Sequence, residues 1–298
     1  MLAAAAARWT WLAPALFIVI WSSGYVVAKA AAPYAEPLTF LLVRYAGVVL
    51  LMGALAFIAR APWPASRAQV LHLAVAGIGI QAMYLGGVWV AVKHGMPAGV
   101  AALIVNLQPV LTAVAGPLIG ERVTARQWTG LGLGFAGVAL VVSNKLGAGS
   151  FGWGPVWLAV MALASMTAAT LYQKRFIPTF DLRTGQVVQF VASIVVTLPF
   201  ALAFESLHIT WNAQVMAALA WSILVLTGGG ISLLFMMIRH GAATEVTSYL
   251  YLVPAVTAVM AWAMFGERLG GLAIVGMVVT IVGVALVVRR APVARLRG

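Results

Sequence analysis

Apolar residues run along this chain in long unbroken blocks, not at the two-residue period of a strand or as the one-sided stripe of a soluble helix. Charges, prolines and glycines bound the blocks, which cover approximately Trp9–Ala31, Pro37–Ala59, Ala68–Val92, Ala98–Leu118, Ala125–Val142, Trp153–Tyr172, Thr184–Phe204, Ala213–Ile238, Ala243–Phe265 and Gly271–Val288. Each holds 18 to 26 residues. At 1.5 Å per residue that is long enough for a helix to cross a hydrocarbon core of about 30 Å. The pattern predicts an all-α membrane protein of ten transmembrane helices.

The two sets of five read alike. Gly120-Glu121-Arg122 precedes Gly137-Val138-Ala139-Leu140-Val141-Val142, and 146 positions later Gly266-Glu267-Arg268 precedes Gly283-Val284-Ala285-Leu286-Val287-Val288. Upstream, Lys93-His94-Gly95 answers Arg239-His240-Gly241, and Pro109 with Thr112-Ala113-Val114 answers Pro254 with Thr257-Ala258-Val259 at an offset of 145. Self-similarity at a fixed period marks a duplicated unit, here residues 1–146 and 147–298. A unit with an odd number of crossings enters the membrane from opposite sides in its two copies. The halves are therefore expected to form five-helix inverted repeats, with a substrate site at their interface near the midplane.

Composition agrees, since 63% hydrophobic and 8% charged residues with a mean hydropathy of +1.04 leave too little polar surface to cover a soluble globule. The net charge of +12 follows a topological pattern. With the N-terminus cytoplasmic, 13 basic residues fall inside, Arg60, Arg67, Lys174, Arg175 and Arg183 among them; Lys29, Lys93, Lys145 and Arg268 fall outside, and Arg44 lies within a span. This bias predicts a multi-pass protein with both termini cytoplasmic. Cations spread over short loops need no nucleic acid to explain them, so no nucleic-acid partner is expected. The first span follows Arg8 but is long for a signal peptide and precedes nine more spans, so it reads as a retained helix. The chain has no cysteine, which excludes disulfides and thiolate metal sites.

Trp21-Ser22-Ser23-Gly24 in the first span, Pro37-Leu38-Thr39-Phe40 with Arg44 in the second, and the Pro109/Gly120-Glu121-Arg122 and Pro254/Gly266-Glu267-Arg268 sets closing the halves carry a resemblance. The chain resembles the drug/metabolite transporter superfamily, specifically ten-helix bacterial members with two EamA-type repeats, and most of all the aromatic and neutral amino-acid exporters. The resemblance spans essentially the whole chain. It implies a metabolite exporter of the bacterial cytoplasmic membrane with a central cavity lined by both halves.

An ionisable group within a span costs at least about 2.5–3.5 kcal/mol on insertion scales and so needs a cavity, a partner or the interface. Arg44, with Tyr45 beside it, could meet a substrate carboxylate through its planar fork, snorkel outward, or satisfy carbonyls of a broken helix. Glu245 shares a face with Ser248 and Tyr249, a set suited to an ammonium group or a proton, although Glu245 could equally snorkel toward Arg239 and His240. Glu121 and Glu267 stand at span ends beside arginines, as gate ion pairs or as charged turns capping the next helix. Lys29 reads as interfacial. Glu36 and Asp181 fall in loops and Glu205 at a helix end.

Neutral polar residues mark the expected cavity lining, because hydrogen-bonding groups facing lipid are penalised. Ser22 and Tyr25, Gln81 and Tyr84, Asn106 and Gln108, Tyr172, and Gln186 with Gln189 qualify, each with helix-to-helix hydrogen bonding as the alternative. Most tryptophans fall near span ends as an interfacial belt, whereas Trp21 and Trp89 lie deeper and join the lining. Pro109 and Pro254, at matching positions, are candidate hinges. Gly130, Gly132, Gly134 and Gly137, against Gly276 and Gly283, form a close-packing surface within the repeat or a dimer.

No cluster has metal-ligand spacing and no phosphate-cradling loop is present, so neither an enzyme nor a cofactor is expected. The expectation is a secondary carrier working by alternating access on a small-molecule substrate, a monomer or weak homodimer in contact with lipid. Neutral or aromatic amino acids lead as cargo. Another small metabolite or a toxic cation is the alternative, with a channel or membrane-bound lipid enzyme outside the carriers.

Overall fold

The computed structural model describes residues 2–115, 124–147, 151–230, 233, 250–267 and 270–288. They fold into helices α1 (Leu2–Ala31), α2 (Pro37–Ile58), α3 (Arg67–Lys93), α4 in two pieces (Ala98–Val105 and Gln108–Val114), α5 (Ala125–Gly147), α6 (Trp153–Phe176), α7 (Leu182–Phe204), α8 (Ala213–Gly229), α9 (Val253–Phe265) and α10 (Gly271–Val288). By length and composition α2, α3, α6 and α7 are long and apolar enough to cross a membrane, and the other six contribute shorter apolar segments. The surface is inverted relative to a soluble protein: Phe57 is 85% exposed, Phe204 79% and Leu50 74%, which suits hydrocarbon and not water. Among the described residues the sole strand-like contact is an isolated antiparallel bridge between Ala35 and Ile209.

Equivalent helices of the two halves run antiparallel. Glu205, the residue that follows α7, accepts hydrogen bonds from the first turn of α2, at Leu38 N (2.8 Å), Thr39 N (2.7 Å) and Thr39 Oγ1 (2.7 Å). The start of the second helix of one half thus meets the end of its counterpart. On α5 and α10 the order is likewise reversed, with Gly137 against Gly276 and Thr280 while Gly283 lies against Gly130 and Gly134. The two glycines that open the duplicated hexapeptide are therefore where these helices touch, and the repeat is inverted. One continuous apolar core of residues such as Phe40, Tyr45, Leu103 and Phe190 joins both halves.

Contacts sort the loops onto two faces. On one, Thr184 Oγ1 donates to the Pro62 carbonyl at 2.8 Å, and His72 Nδ1 and the Tyr172 hydroxyl lie 2.6 Å apart. On the other, Thr210 N donates to Tyr34 O at 2.7 Å, Lys93 Nζ to Ala32 O at 2.6 Å and Gln214 Nε2 to Ala30 O at 2.9 Å. The Lys29 ammonium lies 3.2 Å from Glu267 on that same face. Lys29 is thus the partner of Glu267, and Arg268 lies outside the described residues.

Among the described residues, α3, α4, α8 and α9 depart from regular α-helical geometry. In α3 (Ile78–Leu85) and α8 (Trp221–Gly229), at corresponding places in the two repeats, the backbone widens into a π-helix. Hydroxyls from neighbouring helices reach carbonyls in and beside the first of these: Ser193 donates to Gly77 O, Ser165 to Gly79 O and Tyr45 to Gln81 O. Such bonds are what make a departure from α geometry tolerable in the absence of water. In α4 the helix breaks at Asn106–Leu107, so that Pro109 is the second residue of the following piece. In α9 Pro254 occupies the matching place, second in the helix and preceded by the 3-10 turn Leu250–Leu252. Proline's missing N–H costs nothing in a first turn.

Candidate functional site

A cavity of about 560 Å³ lies between the halves. Trp21, Gly24 and Tyr25 of α1, Arg44 of α2, and Ile80, Gln81, Tyr84, Leu85, Val88 and Trp89 of α3 line it from the first half. Met166 and Gln173 of α6, Gln186, Gln189 and Phe190 of α7, and Leu226 and Thr227 of α8 line it from the second. The linker residues Pro178, Thr179 and Phe180 form its mouth, with Pro178 and Thr179 exposed. The mouth therefore opens on the face that carries the Thr184–Pro62 contact. The blind end is buried: Trp89 is 4% exposed, Tyr25 5% and Arg44 7%. There Phe40 stacks on Trp89 at a centroid distance of 4.6 Å, one turn short of Lys93.

Both π-helical stretches face this space, contributing Ile80, Gln81, Tyr84 and Leu85 from α3 and Leu226 and Thr227 from α8. A widened helix is common at functional sites because it turns side chains out of α register.

The polar groups are arranged unevenly. Tyr25 and Tyr84 share one hydrogen bond at 3.3 Å between hydroxyls, which leaves one phenolic proton to offer. Arg44 makes no hydrogen bond and no ion pair among the described residues, and its Nε is fully buried. A guanidinium presents five donors and no acceptor, so the blind end is rich in donors. Toward the mouth, Gln189 Nε2 donates to Gln173 Oε1 at 2.9 Å, and Gln186 Oε1 is buried without a partner. Trp21, Trp89, Phe190 and Phe180 give the cavity aromatic walls. At the mouth Asp181 caps α7 and is held 2.7 Å from Arg183, whose hydrogen bonds keep the carboxyl below the usual carboxylate range.

Of the residues singled out in the sequence, Trp21, Tyr25, Arg44, Gln81, Tyr84, Trp89, Gln186 and Gln189 come together here. Ser22 points instead at α9, 3.4 Å from the Val253 carbonyl. Gln108 donates to Thr170 Oγ1 at 3.2 Å, tying α4 to α6, and Tyr172 ties α6 to α3 through His72. Asn106 sits at the break in α4 with its Nδ2 buried and unpartnered. Glu245, Ser248 and Tyr249 lie outside the described residues, as do Glu121 and Arg122. Gln173 and Thr227 line the cavity without having been singled out. Gln173 is the next residue after Tyr172, and one residue is a rotation of about 100° on a helix.

The family model described as the EamA-like transporter family matches residues 8–143 and, a second time, 153–289. An inner membrane transporter of Escherichia coli (strain K12), YedA, is 26% identical over 271 residues, covering 90% of this chain and 87% of that one. The transporter YvbV of Bacillus subtilis (strain 168) is 28% identical over 281 residues, covering 92% and 89%. A "Probable amino-acid metabolite efflux pump" of Salmonella typhimurium (strain LT2) is 23% identical over 278 residues, covering 90% and 91%. A crystal structure at 17% identity superposes with a TM-score of 0.63 over 92% of this chain and 94% of that one, a likeness of fold.

Proposed function

The chain belongs to the EamA-like transporter family, and from that membership we propose that it is a secondary carrier exporting small carboxylate-bearing metabolites, neutral and aromatic amino acids foremost, from the bacterial cytoplasm. The observation that carries this reading is the unpartnered Arg44 at the blind end of an aromatic-walled cavity between the halves. A guanidinium matches a carboxylate through two parallel hydrogen bonds, and the walls suit an apolar side chain. The efflux role printed in the name of the Salmonella typhimurium relative lends support.

Transport proceeds by alternating access. The inverted halves rock about the cavity, closing the mouth at Pro178–Phe180 and opening the face held by the Ala35–Ile209 bridge and the Lys29–Glu267 pair. The excess of basic residues on the mouth side supports a cytoplasmic position for that face and for both termini. The cavity then opens to the side from which an exporter collects cargo. Facilitated diffusion and proton exchange are both compatible with this reading.

The test is uptake of labelled amino acids into liposomes holding the purified protein, with and without a pH gradient. Saturable uptake is expected, and Arg44→Lys should weaken transport of amino acids far more than of the matching amines. Equal loss on both removes Arg44 from carboxylate recognition. Transport of amines alone would favour a cation carrier instead.

A further inference from the structure

The charge inventory of the cavity goes further than its shape. Arg44 is the one charged side chain among the described lining residues. The described acids are all elsewhere. Glu36, Glu205 and Glu267 lie on the sealed face, Glu36 hydrogen-bonded to Ser206 and His208, Glu205 to the start of α2, and Glu267 close to Lys29. Asp181, at the mouth, is paired with Arg183. Only positions 121 and 245 fall outside the described residues. The lining amides of Gln81, Gln173, Gln186 and Gln189 can accept a hydrogen bond from an ammonium group but bring no charge to it.

We infer that this site takes monoanions, a carboxylate on an apolar or aromatic body with no ammonium group, in preference to the corresponding zwitterions, and that the empty carrier crosses between its two states with the positive charge of Arg44 unbalanced. The inference rests on Arg44 as the carboxylate site of the reading above, and it replaces the amino acids named there with carboxylates that carry no ammonium group. A carboxylate neutralises the guanidinium on binding, so each group meets a partner in a desolvated place. A zwitterion brings a second cation that must lose water with nothing of opposite charge to meet it among the described lining residues.

A consequence follows for the driving force. The cavity is continuous with one aqueous side, so the membrane potential falls mainly across the sealed part beyond Trp89. When the seal passes to the other side, Arg44 changes potential with little movement of its own. The loaded carrier, neutral at this site, switches without moving charge; the empty carrier moves one positive charge. One elementary charge across 100 mV corresponds to roughly a 50-fold bias. An inside-negative membrane therefore drives export of a monoanion with no coupling ion, by drawing the empty carrier back.

The matched probes are 3-phenylpropionate and phenylalanine, which differ by the ammonium group, assayed with the full chain in liposomes and with potassium and valinomycin to set the potential. The expected result has three parts. Phenylpropionate half-saturates at about one-tenth the concentration of phenylalanine or less. Its net uptake rises several-fold when the interior is positive. Its exchange against itself, which uses only the loaded carrier, does not respond to potential. Arg44→Gln should make that exchange voltage-sensitive and abolish the preference, whereas Arg44→Lys keeps the exchange insensitive. Equal or better use of phenylalanine overturns the inference while leaving the amino-acid reading in place. So does voltage-sensitive exchange in the unaltered protein that Glu245→Gln removes, since Glu245 would then be balancing Arg44. Monodisperse protein that moves neither probe removes both readings.

Discussion

Two glycines on one helix should respond to the same substitution with opposite sign. A Cβ placed on Gly137 would stand 2.5 Å from the Gly276 carbonyl oxygen and 2.6 Å from Thr280 N, with Thr280 Oγ1 closer still. These are mainly backbone atoms that cannot turn aside, so α5 and α10 must part by roughly 1 Å to reach ordinary contact. Overpacking of this kind costs about 1–3 kcal/mol. Gly132, five residues earlier on α5, is exposed, and a Cβ there meets nothing within 4 Å. Both changes to alanine bring the same helix-propensity gain of about 0.5–1 kcal/mol. The difference between the two variants therefore isolates the contact between the halves, at about 1–3 kcal/mol. The assay is the temperature at which detergent-solubilised protein loses monodispersity, with the expected order Gly132→Ala above the unaltered protein and Gly137→Ala below it. A Gly137→Ala protein as stable as Gly132→Ala would refute the close approach of α5 and α10, and with it the packing reason given for the duplicated hexapeptide.

Glu205→Ala removes the acceptor for Leu38 N, Thr39 N and Thr39 Oγ1 and should cost about 1–2 kcal/mol by the same thermal assay, with Glu205→Gln costing less; no loss would remove the cap. A double-mutant cycle on Lys29→Ala and Glu267→Ala should give a coupling below about 1 kcal/mol, because the pair is partly exposed. The chain has no cysteine, so a single Trp89→Cys can report the state, and Lys29→Ala should speed its labelling from the sealed face by an impermeant maleimide; unchanged labelling would remove the pair from gating. Asp181 has a folded-state pKa below the ordinary value, so its contribution is complete above about pH 4 and is lost as pH falls through the lowered value. Asp181→Asn should accordingly lower thermal stability near neutrality and flatten its fall in that acid window, the two proteins converging as Asp181 of the unaltered chain is protonated.

Segment lengths and the 145–146 offset were enough to read the helices and the inversion of the halves, because hydrocarbon thickness and the parity of five crossings constrain both. Individual lining residues were harder. Trp21, Tyr25, Gln81 and Tyr84 announce themselves as polar or aromatic groups deep in apolar runs. Gln173 was masked by the neighbouring Tyr172, and telling them apart needs the rotation of α6, which depends on its packing. The π-helical stretches leave no local mark in a sequence that reads as uniformly apolar. Glu36 looked like an ordinary loop charge, and Lys29 and Glu205 like ordinary charges at span ends, because their partners are 170, 238 and 167 positions away. No periodicity reports a contact of that kind.

The cap on α2 also makes the two copies unequal. Asp181 stands 145 positions after Glu36, and each leads a helix, but Asp181 caps its own helix whereas the first turn of α2 is capped from across the molecule by Glu205. The position 145 before Glu205 is Arg60, with φ 49°, a cation where the other repeat has its acceptor. Two identical halves would make the inward and outward states equivalent by a two-fold rotation, equally populated with no gradient applied. Here the doors are hung on different hinges, and each contact without a twin sets a resting preference, about tenfold for every 1.4 kcal/mol. Direction at rest is thus written in the mismatches between the repeats, and exchanging residues between paired positions is the way to change which side the empty molecule faces.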